Sequence, residues 1–369
     1  MTPRCAACGT FAAATDRYCE ECGRELGVRR IALPPFTGGT SREATTMPVA
    51  ELNAAGEVPY TGTTMSYDAT TKAACDGCGA TTFDTDGYCA ACGQLGPQRD
   101  RFEADLGAVF VITDRGISHA RNEDAVSASV VDRAPGVPAT VVIAVCDGVS
   151  TSEDPQAASG TAVRTGVDAC LTALAENKTA EESVMAGLAA AARAVTDVGT
   201  PDGRSPSCTY VSAIVQFDPT GGARITVANV GDSRGYWLTP APDESQRLSV
   251  DDSLAQAMVE TGLMNEEDAM DAPHAHVLTR WLGADSENKW SANCVQTLHA
   301  TEPGVLLLCS DGMWNYLPEA PDLARIATPH APMDAARALV DHALLAGGKD
   351  NITVALVPLP FSVPTGETL

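Results

Sequence analysis

Thr140-Val141-Val142-Ile143-Ala144-Val145-Cys146-Asp147-Gly148 is an apolar run that stops on a carboxylate and a glycine. A short run of this kind, rich in β-branched residues, reads as a buried strand. Asp147 therefore stands at a strand end. The arrangement recurs along the chain. Val305–Ser310 leads into Asp311-Gly312, Asp350-Asn351 opens Ile352–Val357, and Asn122-Glu123-Asp124 opens Ala125–Val131. Asp232 follows the strand-like Arg224–Val230, in Gly231-Asp232-Ser233-Arg234. Carboxylates fixed at strand ends make a rigid, oxygen-rich site that suits Mg²⁺ or Mn²⁺. Gly148 permits close approach, so its carbonyl joins the candidate ligands. Two ions about 3.5–4 Å apart can share one water, lower its pKa and neutralise phosphoryl oxygens. Asp147, Asp311 and Asp350 are the foremost candidate ligands for them.

Outward from these stations, composition is globular over residues 102–360. Ala108–Thr113, Tyr210–Phe217 and Tyr236-Trp237-Leu238 read as further strands. Asp218-Pro219-Thr220-Gly221-Gly222 is a strong turn. Pro155–Glu176 and Thr179–Asp197 read as helices, the second opening on a Thr179/Glu182 capping box. Leu254–Thr261, Glu266–Met270 and Asp334–Ala346 are the remaining helical stretches. Strand runs with paired helical blocks imply an α+β fold, with helices packed on mainly antiparallel sheets. Trp281 and Trp314 read as core aromatics. Trp290 lies in polar company and is expected to face a partner. His274 and His276 read as solvated loop.

The chain has thirteen cysteines. Eight form a duplicated Cys-x2-Cys…Cys-x2-Cys pattern: Cys5, Cys8, Cys19 and Cys22, then Cys75, Cys78, Cys89 and Cys92. Each set supplies four thiolates for one tetrahedral, structural Zn²⁺. Neither unit has enough apolar residues for its own core, so metal must supply folding energy. Residues 1–26 and 73–98 are thus expected to be zinc ribbons, and 27–72, rich in Thr, Pro, Ala and Gly, a flexible linker. Cys146, Cys170, Cys208, Cys294 and Cys309 sit singly in apolar company and read as buried hydrophobes.

Formal charge is −24 over 369 residues. That argues against nucleic acid or an anionic membrane as partner, since phosphate binding needs clustered Lys and Arg. The ribbon region also lacks a basic cluster and suits a protein partner. No apolar run is long enough to span a bilayer, and the N-terminus shows no apolar signal region. A cytoplasmic location is expected.

The ordered motifs from about Asp105 to Val357 resemble the type 2C (PPM) family of metal-dependent Ser/Thr protein phosphatases. They include Asp114-Arg115-Gly116, Arg121-Asn122-Glu123-Asp124-Ala125, Cys146-Asp147-Gly148, Ser207-Cys208-Thr209 and Gly231-Asp232-Ser233-Arg234. Further on come Leu278-Thr279-Arg280, Ser310-Asp311-Gly312 and Lys349-Asp350-Asn351. The resemblance implies a β-sandwich flanked by α-helices and a site with two Mn²⁺ or Mg²⁺ ions. It implies that Asp147 bridges the ions, with Asp311 and Asp350 on the first and the Gly148 carbonyl on the second. Glu123 and Asp124 would orient metal-bound waters, and Asp232 would belong to a third, weaker ion. Thr209 and Asn351 would support these loops, and Leu248–Gly283 would be the variable flap that shapes substrate choice. The reaction implied is hydrolysis of phosphoserine and phosphothreonine in proteins, the products of Ser/Thr kinases, by a metal-bridged hydroxide. Two departures stand out. No histidine follows Asp147-Gly148, and the family's phosphate-gripping arginine position is His119, with Arg121 close by. The alternative is a catalytically weak scaffold or sensor of the same fold.

Overall fold

The computed structural model describes residues 28–34, 78–80, 82, 90–93, 101–134, 137–199, 205–219, 221–286, 289–291 and 293–359. Of the eight ribbon cysteines only Cys78 and Cys92 are among them, both exposed. The expected zinc sites, and most of the expected linker, lie outside the described residues.

In chain order the first strands are β1 (Val28–Leu33), β2 (Arg101–Asp105), β3 (Phe110–Asp114), β4 (Ala125–Ala134) and β5 (Val137–Cys146). Two long helices follow, α1 (Pro155–Ala175) and α2 (Ala180–Val198). Then come β6 (Ser207–Cys208), β7 (Tyr210–Phe217), β8 (Ala223–Val230), β9 (Arg234–Leu238) and β10 (Gln246–Arg247). The flap carries α3 (Leu254–Glu260), α4 (Glu266–Met270) and β11 (Leu282–Gly283). The chain continues through β12 (Val295–Ala300), β13 (Gly304–Cys309), α5 (Asp311–Trp314), α6 (Ala320–Ala327), α7 (Pro332–Ala346) and β14 (Ile352–Leu359).

Two six-stranded sheets, ordered β1-β4-β5-β7-β8-β12 and β10-β9-β13-β14-β3-β2, carry most of these strands. Every pairing within them is antiparallel, as expected. The layering follows from the period-2 alternation of a strand. In β5, Val141, Ile143 and Val145 enter the core between the sheets, while Val142, Ala144 and Cys146 pack with α1 and α2. In β14, Ala355 and Val357 face the inter-sheet core, while Ile352, Val354 and Leu356 pack against α6 and α7. A strand covered on both faces is apolar at nearly every position, and the one polar residue within Ile352–Val357, Thr353, is satisfied by Thr113 Oγ1 at 2.8 Å. The result is a sheet pair with a helix layer on each outer face. The capping box of α2 forms as expected: Glu182 N–H donates to Thr179 Oγ1 at 3.1 Å, and Thr179 N–H donates to Glu182 Oε2 at 2.9 Å. All five single cysteines are buried.

Two expectations need correction. Residues 28–33, placed in the flexible linker, form β1 along the edge of β4, from Val28↔Val131 to Leu33↔Val126. Ile31 and Leu33 enter the inter-sheet core. Arg30 is buried and pairs with Asp168 of α1 at 2.6 Å, and Arg29 pairs with Asp132 at 2.7 Å. Trp281 is half-exposed, its Nε1 donating to Asp285 Oδ1 at 2.9 Å. Trp290 is half-buried, packed against the core beneath α1 and α2 and lining a surface groove with Arg193 and Thr196 of α2. No helix among the described residues is long and apolar enough to cross a membrane.

Candidate metal centre and active site

The strand ends of both sheets meet at one end of the sandwich. In the first sheet the last β4–β5 pair is Ala125↔Cys146, so Asp124 and Asp147 stand opposite one another one step further on. In the second sheet Cys309 pairs with Val354, and Ser310 N–H donates to Thr353 O at 3.1 Å. Asp311 therefore leaves β13 beside Asp350-Asn351 at the start of β14. The β8–β9 turn brings Asp232 to the same place. Side chains in these loops then fix the carboxylates. Asn351 accepts from Glu123 N–H at 2.6 Å and donates to Arg115 O and Arg121 O at 2.7 and 3.1 Å. Thr209 Oγ1 accepts from Asp147 N–H at 3.0 Å and lies 2.7 Å from Ser233 Oγ, linking Asp147 to the Asp232 turn. Both residues thus act as clips between loops.

Two glycines are sterically required. A Cβ on Gly148 would lie 2.6 Å from Pro155 O and 2.8 Å from Glu123 O. One on Gly312 would collide with Asn351 O. The Asp-Gly pairing therefore reflects crowded backbone behind each carboxylate.

The electrostatics are those of a cation site. Burial, then the neighbouring Asp124, Asp311, Asp350 and Asp232, push the Asp147 carboxyl well above its ordinary range. Burial, with Asp350 and Asp311 adding to it, pushes Asp124 up to about 7 against the hydrogen bond from Ser310. Burial raises Asp232, with Asp311 and Asp251 adding to it, and raises Asp311, with Asp350 adding to it. Asp124 Oδ2 accepts from Ser310 Oγ at 2.6 Å, but Asp124 Oδ1 and Asp311 Oδ1 are buried without a hydrogen-bond partner. Buried orphan oxygens in a field of like charge are costly unless a cation takes them up. Among the described residues no group of three or more His, Cys, Asp or Glu side chains is already arranged to hold a metal ion. An open set suits Mg²⁺ and Mn²⁺-type coordination, which takes one or two carboxylates and keeps several waters. The residues present therefore fit divalent ions.

This crowding sets a sign for pH. A carboxyl whose folded pKa is raised keeps its proton in the folded chain after the unfolded chain has lost it. Its stabilisation is present below the unfolded value and is lost as pH rises through the folded value. For Asp124 that window runs from the ordinary value of 3.8 to about 7. Protein stripped with EDTA should therefore melt lower at pH about 8 than at pH about 5.5, and Mn²⁺ should raise Tm more at the higher pH. A metal-free protein more stable at the higher pH would contradict the clustered-carboxylate reading.

The remaining expected residues also lie here. Glu123 is buried, with Oε1 accepting from Arg121 Nε at 2.9 Å and Oε2 from Ser150 Oγ at 2.7 Å. Both its oxygens are already engaged, unlike those of Asp124. His119 Nε2 lies 3.0 Å from Asp350 Oδ1, so it leans on a candidate ligand. Arg121 is 55% exposed and lines a recess with Ser118, His119 and Ser150. Sequence reasoning gave no role to Ser310, nor to a buried network behind Asp232. There, Arg234 pairs with Asp251 at 2.6 Å and lies 3.5 Å over the Trp314 ring, whose Nε1 donates to Asp232 O at 2.8 Å. Nothing local in the sequence signals that network, since Asp251 sits in the mostly polar run Ser249-Val250-Asp251-Asp252-Ser253.

No protein-family model matches the chain. It is 38% identical over 135 residues to Serine/threonine phosphatase stp of Listeria innocua, covering 37% of this chain and 52% of that protein. The chain thus spans about half the length of the curated relatives it matches. The PPM Ser-Thr phosphatase MsPP from Mycobacterium smegmatis, solved in complex with cacodylate, superposes with a TM-score of 0.52 at 25% identity, over 69% of this chain and 99% of that one. The catalytic domain of the serine threonine protein phosphatase PstP, solved in complex with two manganese ions, superposes with a TM-score of 0.50 at 23% identity, over 68% of this chain and 96% of that one. The fold of this chain is that of the PPM Ser/Thr phosphatases.

Proposed function

We propose that the chain is a divalent-metal-dependent protein phosphatase that hydrolyses phosphoserine and phosphothreonine esters. The observation that carries this reading is the set Asp124, Asp147, Asp232, Asp311 and Asp350, gathered at one end of the sandwich with two buried oxygens lacking partners. The likeness to named Ser/Thr phosphatases and to a manganese-bound neighbour supports it. Asp147, the Gly148 carbonyl, Asp311 and Asp350 would hold two Mn²⁺ or Mg²⁺ ions, with Glu123 and Asp124 orienting water and Asp232 at a third, weaker position. Bound there, the ions would acidify an attacking water and offset charge on the phosphoryl oxygens. The chain's own part is positioning. Ser310 and Asn351 hold Asp124 and the Glu123 backbone, and Thr209 holds Asp147 against the Asp232 turn. The gathered carboxylates support turnover over a scaffold of the same fold. Zinc ribbons at residues 1–26 and 73–98 would dock a protein partner.

Arg121 would grip substrate phosphate: among the described residues only its Nε is bonded, to Glu123 Oε1 at 2.9 Å, and its side chain is 55% exposed, whereas His119 Nε2 is engaged by Asp350. A guanidinium offers two parallel charge-assisted bonds. Arg121→Ala should raise KM for phosphopeptides about tenfold with little change in kcat. An unchanged KM would assign phosphate binding to the metals alone.

The reaction itself is tested by single turnover in ¹⁸O-labelled water. Direct hydrolysis places one solvent oxygen in the released phosphate and leaves none of the phosphoryl group on the protein. A trapped phosphoenzyme, or no release at all, would overturn the proposal.

A further inference from the structure

A cleft of about 1000 Å³ opens beside the carboxylate cluster, with Gly312 and Asp350 in its wall. Its rim is acidic from two sides. The flap contributes Glu266 and Glu267 on α4 and Asp271 just beyond it, and Glu319 stands before α6. All four are exposed. Only Glu266 is neutralised, by Arg247 at 3.1 Å; Glu267, Asp271 and Glu319 are in no ion pair among the described residues. On the basic side, Arg234 is turned inward to Asp251, which leaves Lys349 as the one cation facing the cleft among the described residues.

This rim poses a problem for the substrate. A phosphorylated side chain brings about −1.5 to −2 charges to a chain that already carries −24. Metal ions in the site would offset the phosphate itself, but the exposed rim still repels an acidic segment around it and attracts one that carries positive charge. Lysine or arginine beside the phosphoresidue would meet Glu267, Asp271 and Glu319 while the phosphate reaches the metal site. Repulsion then becomes attraction over about a Debye length, ~8–10 Å at ordinary ionic strength.

We propose that the cleft selects phosphoprotein segments with basic residues flanking the phosphorylated serine or threonine. The inference rests on the phosphatase reading above and adds the substrate class. The rim carboxylates determine specificity and do not touch the reacting atoms.

The test compares kcat/KM, with Mn²⁺ present, for two phosphothreonine peptides of equal length, one flanked by arginines and one by glutamates. At low salt the full chain should prefer the basic peptide about tenfold or more, and the preference should shrink at about 0.5 M NaCl. In the triple variant Glu267→Gln, Asp271→Asn, Glu319→Gln the ratio should fall about threefold or more. Because the ratio is taken within one preparation, a loss of active fraction cancels. Equal rates, a preference for the acidic peptide, or a basic preference that the triple variant retains in full would overturn the inference. Hydrolysis of neither peptide nor of a phenyl phosphate ester would instead overturn the phosphatase reading, and this inference with it.

Discussion

Asp147→Asn should lower kcat on phosphothreonine peptides by roughly a thousandfold or more, while making the metal-free protein more stable. Both effects follow from its position. Asp147 lies among Asp124, Asp311, Asp350 and Asp232, all of which raise its pKa. On the proposed function, removing its charge would remove a metal ligand and several kcal/mol of charge stabilisation, and each 1.36 kcal/mol is a factor of ten in rate. The same change relieves repulsion within the cluster, so Tm in EDTA should rise while the Tm increase caused by Mn²⁺ shrinks. An asparagine keeps the shape and adds no cavity. Steady-state kinetics and thermal melts with and without Mn²⁺ check both halves. An active variant would remove Asp147 from the site. An inactive variant that melts lower in EDTA would mean that Asp147 serves the fold.

Asp251→Ala should destabilise the protein by about 3–5 kcal/mol, the usual result of leaving a buried charge without its partner. Arg234 is 1% exposed, and its Nε reaches the two oxygens of Asp251 at 3.1 and 3.0 Å. Alanine at 251 would strand that guanidinium against Trp314. The Asp232 turn should loosen as well, because Trp314 Nε1 holds its backbone. The double change Arg234→Met, Asp251→Leu should recover most of the stability, since an apolar pair of similar volume often replaces a buried ion pair at no loss. Chemical denaturation midpoints measure both. A loss under about 1 kcal/mol for Asp251→Ala would mean that water reaches Arg234.

The sequence was most legible where packing is two-sided. β5 and β14 announce themselves because both faces are buried, which forces a nearly continuous apolar run flanked by the residue that enters the site, Asp147 after β5 and Asp350 before β14. The α2 start was legible because a capping box is a local device. Edge strands were not. β1 carries Arg29-Arg30 inside it, and those arginines make sense only once Asp132 and Asp168 are beside them. β12 is exposed at half of its positions, so its apolar signal is weak. At the site, the carboxylates could be read because antiparallel sheets return strand ends to one end of a sandwich. Their partners could not. The Ser310 bond to Asp124 spans 186 positions, and the Arg234–Asp251 pair is set by how the flap folds back on β9. The same holds for His119, whose sequence position suggested phosphate but whose ring meets Asp350.

Release of inorganic phosphate from a phosphothreonine peptide, followed as Mn²⁺ is titrated into EDTA-stripped full chain, tests the metal-phosphatase reading most directly. Activity should be absent without metal, rise with Mn²⁺ or Mg²⁺ to a plateau, and stay absent in Asp147→Asn at every concentration. Substantial hydrolysis in excess EDTA, or a metal response unaltered in Asp147→Asn, would contradict it.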